Sequence, residues 1–383
     1  MNIVLYTNIL TPYRRYFYDR MHRECERRGD SFSVLLMAET EPNRNWHYDE
    51  LKTGYTKLLS GKTIAYHDAF IHFNPTLATE LKRAEPDVLV CAGSYLCPGV
   101  WQAARLKGKL HYKTYYWSES HLNEARDYGG AKVALREALR RRVYAQFDGF
   151  WYAGKLSREF IEKYSREGAD YIFVPNLVEE DVYRRAGETD EQTRGELRRR
   201  LSLPEDRTVF FCPARLSPVK GIDRFLPLLG RAKLRERATV LIAGDGELRE
   251  TISSMAKELG LDVRLLGFQD QKSVAELYAA SDFFLLPSLS DPNPLTCIEA
   301  LWAGLPLLIS EHCGNYPEVV CPGENGFVFR YRDGNAADLI DRAIGTDAAW
   351  RAAARKTSQS IAAERYLASA AVERIVDSLH ERR

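Results

Sequence analysis

Several features that would mark large protein classes are missing from this sequence. No apolar run approaches the roughly 20 residues that span a bilayer, because charge, Gly or Pro interrupts each candidate. The seven cysteines (Cys25, Cys91, Cys97, Cys212, Cys297, Cys313 and Cys321) are odd in number and scattered. With no CxxC pair and no nearby His cluster, they argue against a disulfide framework or a structural zinc site and for reduced cytosolic thiols. Neither sign of charge dominates: 54 Lys and Arg stand against 53 Asp and Glu, a net charge of +1, which argues against a general nucleic-acid coat. The first residues, MNIVLYTNIL, carry no basic leader, long apolar segment or cleavage site, so a cytoplasmic location is expected. Tandem repeats, low-complexity segments and any DxD triplet are also lacking.

What is present is the pattern of an α/β protein. At 383 residues the chain is long for one core and comfortable for two, and its 45% hydrophobic and 28% charged residues are ordinary for a globular protein. Short apolar runs alternate with amphipathic helical patterns throughout, the sign of βα units and parallel sheets. The strand candidates are NIVLYT, FSVLLMA, DVLVCAG, HYKTYYW, GFWYAG and YIFVPN in the first half. In the second half they are TVFFCPA, TVLIAGDG, VRLLGF, FFLLPS, LPLLIS and GFVF. Their hydrophobicity is continuous rather than alternating, so helices cover both sheet faces. A polar, charged stretch, RRAGETDEQTRGELRRRLSLPEDRT, separates the halves and puts the boundary near residues 178–195. Two doubly wound domains are expected, with chemistry beyond the carboxyl ends of their strands.

Three loops in the second half carry candidate ligand contacts. FFCPARLSPVKGID follows a strand and presents Arg215 and Lys220 ahead of a helix starting near Ile222, a pair suited to a diphosphate or, equally, two solvated cations. LIAGDGELRETI offers Gly244 and Gly246, but Arg249 stands at the third glycine position of a dinucleotide fingerprint, so a simple tight turn also fits. SLSDPNPLTCIEALWAGLPLLIS begins as a turn with Asp291 and Asn293. Asn293 reads as a helix N-cap, Pro294 as the first helical residue, and Gly304 with Pro306 as the stop. The first free amides, near Leu295 and Thr296, form an anion site. Glu299 is flanked on its own helix by Leu295, Thr296, Trp302 and Ala303. A buried carboxylate with such neighbours must find donors from another element or from a ligand, and ribose hydroxyls qualify.

Basic clusters occur at Lys132, Arg136, Arg140, Arg141 and Arg142, and at Arg194, Arg198, Arg199 and Arg200. The first fits a solvated helix face or a transient contact with anionic lipid, and the second a helix leading into the second domain.

Taken in order, PNLVEEDVY (175–183), ARLSPVKGID (214–223), AGDGEL (243–248), LLGFQDQKSVAELYAASDFFLLPSLSD (265–291), DPNPLTCIEALWAGLPLLIS (291–310), GNYPEVV (314–320) and ENGFVF (324–329) resemble the retaining GT-B glycosyltransferases of family GT4, the glycosyl transferases group 1. The resemblance implies two Rossmann-like, doubly wound domains facing across a cleft. The expected division is an acceptor-side domain at 1–180, on which a C-terminal helix at about 366–383 packs back, and a nucleotide-sugar donor domain at 181–365.

By the same resemblance, Glu299 holds the nucleotide ribose, and Asp291, where the family has Glu, contacts the donor sugar. Arg215 and Lys220 bind the diphosphate with the amides of Leu295 and Thr296, and Gly267 with Phe268 reads the base. Asn293 stands where the family commonly has an aromatic residue. On the acceptor side, TNILTPYRRYF supplies Tyr13 and Arg14, and WSESH supplies Glu119 and a cleft histidine, His121. The implied activity is metal-independent, cofactor-free transfer of a sugar from a nucleotide diphosphate sugar, with UDP favoured on family frequency, to a carbohydrate, lipid-linked or small-molecule hydroxyl in bacterial-type glycan or glycolipid synthesis. Peripheral contact with the inner membrane face is a further expectation. A nucleotide-sugar epimerase, a glycan phosphorylase and a non-catalytic sugar-nucleotide-binding subunit are the alternatives.

Overall fold

The computed structural model describes residues 1–41, 48–66, 69–122, 130–332 and 334–382. It divides into two compact units, one of Met1–Ser120, Arg126–Asn176 and Ala368–Arg383, the other of His121–Ala125 and Leu177–Leu367.

In the first unit the strands are β1 (Asn2–Thr7), β2 (Ser31–Leu36), β3 (Thr56–Leu58), β4 (Lys62–Tyr66), β5 (Ala69–Phe73), β6 (Val88–Ala92), β7 (Lys113–Ser118), β8 (Gly149–Tyr152) and β9 (Asp170–Phe173). Seven of them form a parallel sheet in the order β3-β2-β1-β6-β7-β8-β9, while β4 and β5 pair as an antiparallel hairpin. The unbroken burial of Ile3 to Tyr6 and of Val88 to Cys91 follows from cover on both faces. Neither β3 nor the hairpin is evident from the sequence. β3 is a three-residue edge strand, and the hairpin leaves Ile64 54% and Phe73 41% exposed, so neither reads as a buried run.

The terminal helix, Ala368–Glu381, buries Ala371, Val372, Ile375, Val376 and Leu379 in this unit. It is fastened to the helix Pro12–Arg28 and the turn after it by Arg28 with Asp377 and by His380 Nε2 with Asp30 at 2.7 Å.

The second unit holds β10 (Thr208–Pro213), β11 (Ala238–Ala243), β12 (Asp262–Gly267), β13 (Phe283–Leu286), β14 (Leu307–Ser310) and β15 (Gly326–Phe329). They form a parallel sheet ordered β12-β11-β10-β13-β14-β15. Each unit is thus an open, doubly wound α/β sheet with its own core. The units part at Asn176/Leu177 and Leu367/Ala368 rather than at 180/181 and 365/366. Val178 already packs into the second core, which draws the chain across four residues early.

Candidate functional site

In the second unit the strand order reverses between β10 and β13, and the loops leaving these two strands flank the crevice where an open α/β sheet binds ligands. They carry Lys220 and Asp291, 71 residues apart in sequence. Lys220 Nζ donates to Asp291 Oδ2 at 2.5 Å. Two contacts lace the loops together. Leu289 N donates to Val219 O at 2.8 Å, and a Cβ on Gly221 (φ +63°) would lie 2.3 Å from Pro287 O, so this turn needs glycine for both its conformation and the close approach. Burial pushes the Lys220 ammonium toward losing its proton, but the charge and hydrogen bond of Asp291 outweigh it and the pKa ends above the ordinary lysine value. Arg215, on the same loop, is exposed and makes no side-chain hydrogen bond or ion pair among the described residues.

The helix after β13 runs Leu295–Trp302. Its N-cap is Pro294, extended at ψ 119°, so Pro294 precedes the helix instead of opening it and Asn293 is not the cap. Asn293 is buried. No side chain caps the helix, which leaves the amides of Leu295 and Thr296 as donors at the positive end of its dipole. At the other end Leu305 N bonds to Ala300 O at 2.9 Å and Gly304 takes φ +70°, the Schellman stop expected from the sequence.

Glu299, on this helix, finds its donors on other helices. The Tyr278 hydroxyl, which also faces Thr296 O at 3.1 Å, donates to Glu299 Oε2 at 3.0 Å, and the Tyr183 hydroxyl is near enough to the carboxylate to favour its charged form. Burial raises the Glu299 pKa, and the two tyrosines only partly oppose it. Both phenol pKa values are raised by burial, with the Glu299 charge adding to the effect, so the hydroxyls stay protonated and donate. A carboxylate accepts about four hydrogen bonds, so two tyrosines leave capacity for a ligand's hydroxyls. The two tyrosines lie in the AELYAASD and PNLVEEDVY segments, and nothing in the spacing of either segment reveals that they converge on Glu299.

Gly244 and Gly246 have a steric requirement of their own within the fold, in line with the tight turn that the sequence also allowed. A Cβ on Gly244 would lie 2.1 Å from Ala214 O, and one on Gly246 2.4 Å from Leu216 O. These glycines let the turn after β11 press on the loop that bears Arg215, and Leu216 N to Asp245 O at 3.0 Å secures it. Gly267 ends β12 at φ +70°, and Phe268 beside it is 87% exposed. His121 groups with the second unit and is 2% exposed, its ring edge beside Gly314, whose amide donates to Asp291 O at 2.8 Å.

In the first unit Arg14 lies in the first turn of the helix Pro12–Arg28. It pairs with Glu119 at 2.5 Å, donates to Asn176 Oδ1 at 3.2 Å and lies 4.1 Å from the Trp117 ring centroid, with Tyr13 at 5.7 Å. Burial works against the guanidinium charge, yet Glu119 holds its pKa above the ordinary arginine value. The first basic cluster is split. Arg140 turns into an aromatic box of Tyr95, Phe160 and Tyr164 at 4.8–4.9 Å, which withdraws it from the solvent face, while Arg141 and Arg142 are exposed. Arg136 is half-buried, and the side chain of Lys132 lies outside the described residues. All seven cysteines are free, and six are buried. Among the described residues no helix is long and apolar enough to cross a membrane.

Two doubly wound parallel sheets are the architecture of the GT-B glycosyltransferases. HepE from Anabaena, solved in complex with UDP, superimposes with a TM-score of 0.76 over all of both chains at 18% identity. Residues 193–357 match the family described as "Glycosyl transferases group 1", the family whose motifs this sequence resembles. An uncharacterized glycosyltransferase of Methanocaldococcus jannaschii is 27% identical over 38% of each chain. The N-acetyl-alpha-D-glucosaminyl L-malate synthase of Bacillus anthracis is 28% identical over 46% of this chain and 44% of its own. Each alignment spans less than half of the curated relative.

Proposed function

We propose that the protein is a retaining glycosyltransferase that moves a sugar from a nucleotide diphosphate sugar, with UDP as the nucleotide, to a hydroxyl acceptor. The observation that carries the reading is the meeting of Lys220 and Asp291 at the crevice of the second sheet, beside an uncapped helix start and a Glu299 with spare acceptor capacity. In this reading Glu299 takes the ribose hydroxyls, while Gly267 and Phe268 meet the base. Arg215, Lys220 and the Leu295 and Thr296 amides bind the diphosphate, where their positive charge stabilises the leaving group without a metal. Asp291 contacts the sugar, and His121, beside the loop that carries Asp291, contacts the sugar or the acceptor. Tyr13, Arg14 and Glu119 serve the acceptor.

The bond from the anomeric carbon to the diphosphate oxygen breaks, and the acceptor oxygen bonds to that carbon on the same face. The acceptor's proton passes to the departing phosphate oxygen, so no protein nucleophile is required. The UDP bound by HepE supports the choice of nucleotide. Peripheral membrane contact rests on Arg142 and Leu135, seven residues apart on one helix face, with Leu135 73% exposed.

Thermal-shift screening of UDP, GDP and ADP sugars, followed by mass spectrometry for transfer or slow hydrolysis, tests the proposal. UDP sugars should stabilise the protein most and lose their sugar with retained configuration. Stabilisation by none of the three would overturn the reading, and binding without transfer or hydrolysis would favour a non-catalytic subunit.

A further inference from the structure

At the opposite edge of the second sheet, where β10 and β13 begin, lies a cavity of about 800 Å³. Seven Lys and Arg line it against four Asp and Glu. Among its lining residues Asp282, 6% exposed, is shared by three arginines: Arg194 at 2.6 Å, Arg198 at 3.1 Å and Arg351 at 3.3 Å. The carboxylate also accepts from Val209 N at 2.8 Å. One negative charge therefore serves three positive ones. A fourth arginine, Arg355, has no carboxylate partner among the described residues and gives Nη1 only to the carbonyls of Ala303 at 3.1 Å and Gly187 at 3.5 Å.

The donors left over point to a ligand. Both terminal nitrogens of Arg198 are engaged, by four acceptors. Arg194, by contrast, uses only Nη2, and its Nε is buried with no partner. Nε and Nη2 of Arg355 are also unused. Burial first, and then the neighbouring arginines, lower the pKa of both Arg351 and Arg355, and the charge of Asp282, joined at Arg355 by that of Glu191, does not fully offset this. A guanidinium with two free donors on one edge matches two oxygens of a phosphate, and the cavity falls in the size range of small-molecule sites.

We propose that this cavity binds a phosphate-bearing small anion, held by Arg194 and Arg355 with Arg351 beside them, at a site separate from the candidate donor site. The proposal does not depend on the glycosyltransferase reading, because none of these residues serves it.

Calorimetric titration of the full chain with inorganic phosphate, and separately with pyrophosphate, at constant ionic strength held with chloride tests the site. Phosphate should bind saturably in two classes of site, one weakened at least tenfold by Arg355→Gln and untouched by Lys220→Met, the other, at the candidate donor site, weakened by Lys220→Met and untouched by Arg355→Gln. Pyrophosphate should show two classes of site, one lost in each variant. If Arg355→Gln does not fold, phenylglyoxal labelling of the unmutated protein replaces it, and phosphate should protect Arg194 and Arg355 in the peptide map. Phosphate binding that survives Arg355→Gln and disappears with Lys220→Met would overturn the proposal. So would unprotected labelling, or heats that follow ionic strength alone.

Discussion

Lys220→Met separates the lysine's structural contribution from its proposed part in catalysis. At 2.5 Å and an effective dielectric of ~20, the gross attraction between two unit charges is about 7 kcal/mol. Desolvation cancels most of that. The side chains also keep 25% and 14% exposure, so losing the lysine alone should destabilise the unit by about 2 kcal/mol, less than the ~3–5 kcal/mol of a fully buried pair. In a domain of 150–250 residues this lowers Tm by roughly 4–8 °C. The loss of turnover should be larger, because removing a donor from a developing negative charge costs about 10²–10³ in rate.

The double variant Lys220→Met/Asp291→Asn removes the orphaned carboxylate and should recover most of the lost Tm. Circular-dichroism melting, UDP titration and mass-spectrometric transfer read the three quantities side by side. Turnover and UDP affinity recovering together with Tm would refute a role for Lys220 at the leaving diphosphate. The sign of the pH effect is fixed too. Because the folded pKa of Lys220 is raised, the pair's stabilisation is complete below the ordinary lysine value and is lost as pH climbs through the raised one.

Asp282→Asn should destabilise the second unit by about 3–5 kcal/mol in urea unfolding, since three arginines lose their shared counter-charge. In the unmutated protein those arginines hold the Asp282 pKa low despite burial, so its contribution is present above the ordinary carboxylate value and fades as pH falls through the lowered one; the variant should lack this acid-dependent part. Glu299 has the opposite shift, and its ionised form is the better acceptor for ribose hydroxyls. UDP affinity should therefore fall as pH drops through its raised pKa, while Glu299→Gln binds weakly at every pH in calorimetry; a flat unmutated profile would contradict the ribose role. Gly246→Ala places a Cβ 2.4 Å from Leu216 O and should shift the loop bearing Arg215 and Lys220, cutting turnover by roughly tenfold to a hundredfold with the circular-dichroism spectrum retained.

All twelve strands expected from continuous apolar runs are present, and together with the three-residue β3 they make up the two parallel sheets. A strand covered on both faces must be apolar throughout, and such a run is visible in one dimension. β3 and the β4–β5 hairpin are not visible in this way, because their stability comes from pairing with a neighbour and their exposed faces interrupt the pattern. The helix start at 294–295 was legible to within one residue. Its exact position depended on the ψ of Pro294, which composition does not report.

Sequence alone therefore determined the α/β class, the two-unit organisation, and the loops at strand ends where Arg215, Lys220 and Asp291 lie, since these follow from local periodicity and turn chemistry. Tertiary structure decided which charges meet. β10 lies beside β13, so Lys220 finds Asp291 across 71 residues; Tyr183 and Tyr278 converge on Glu299; and Arg194 and Arg198, read from the sequence only as part of a connecting helix, close around Asp282 with Arg351. Strand order is not chain order, and the partner of a buried charge is set by which side chains the sheet brings within a few ångströms.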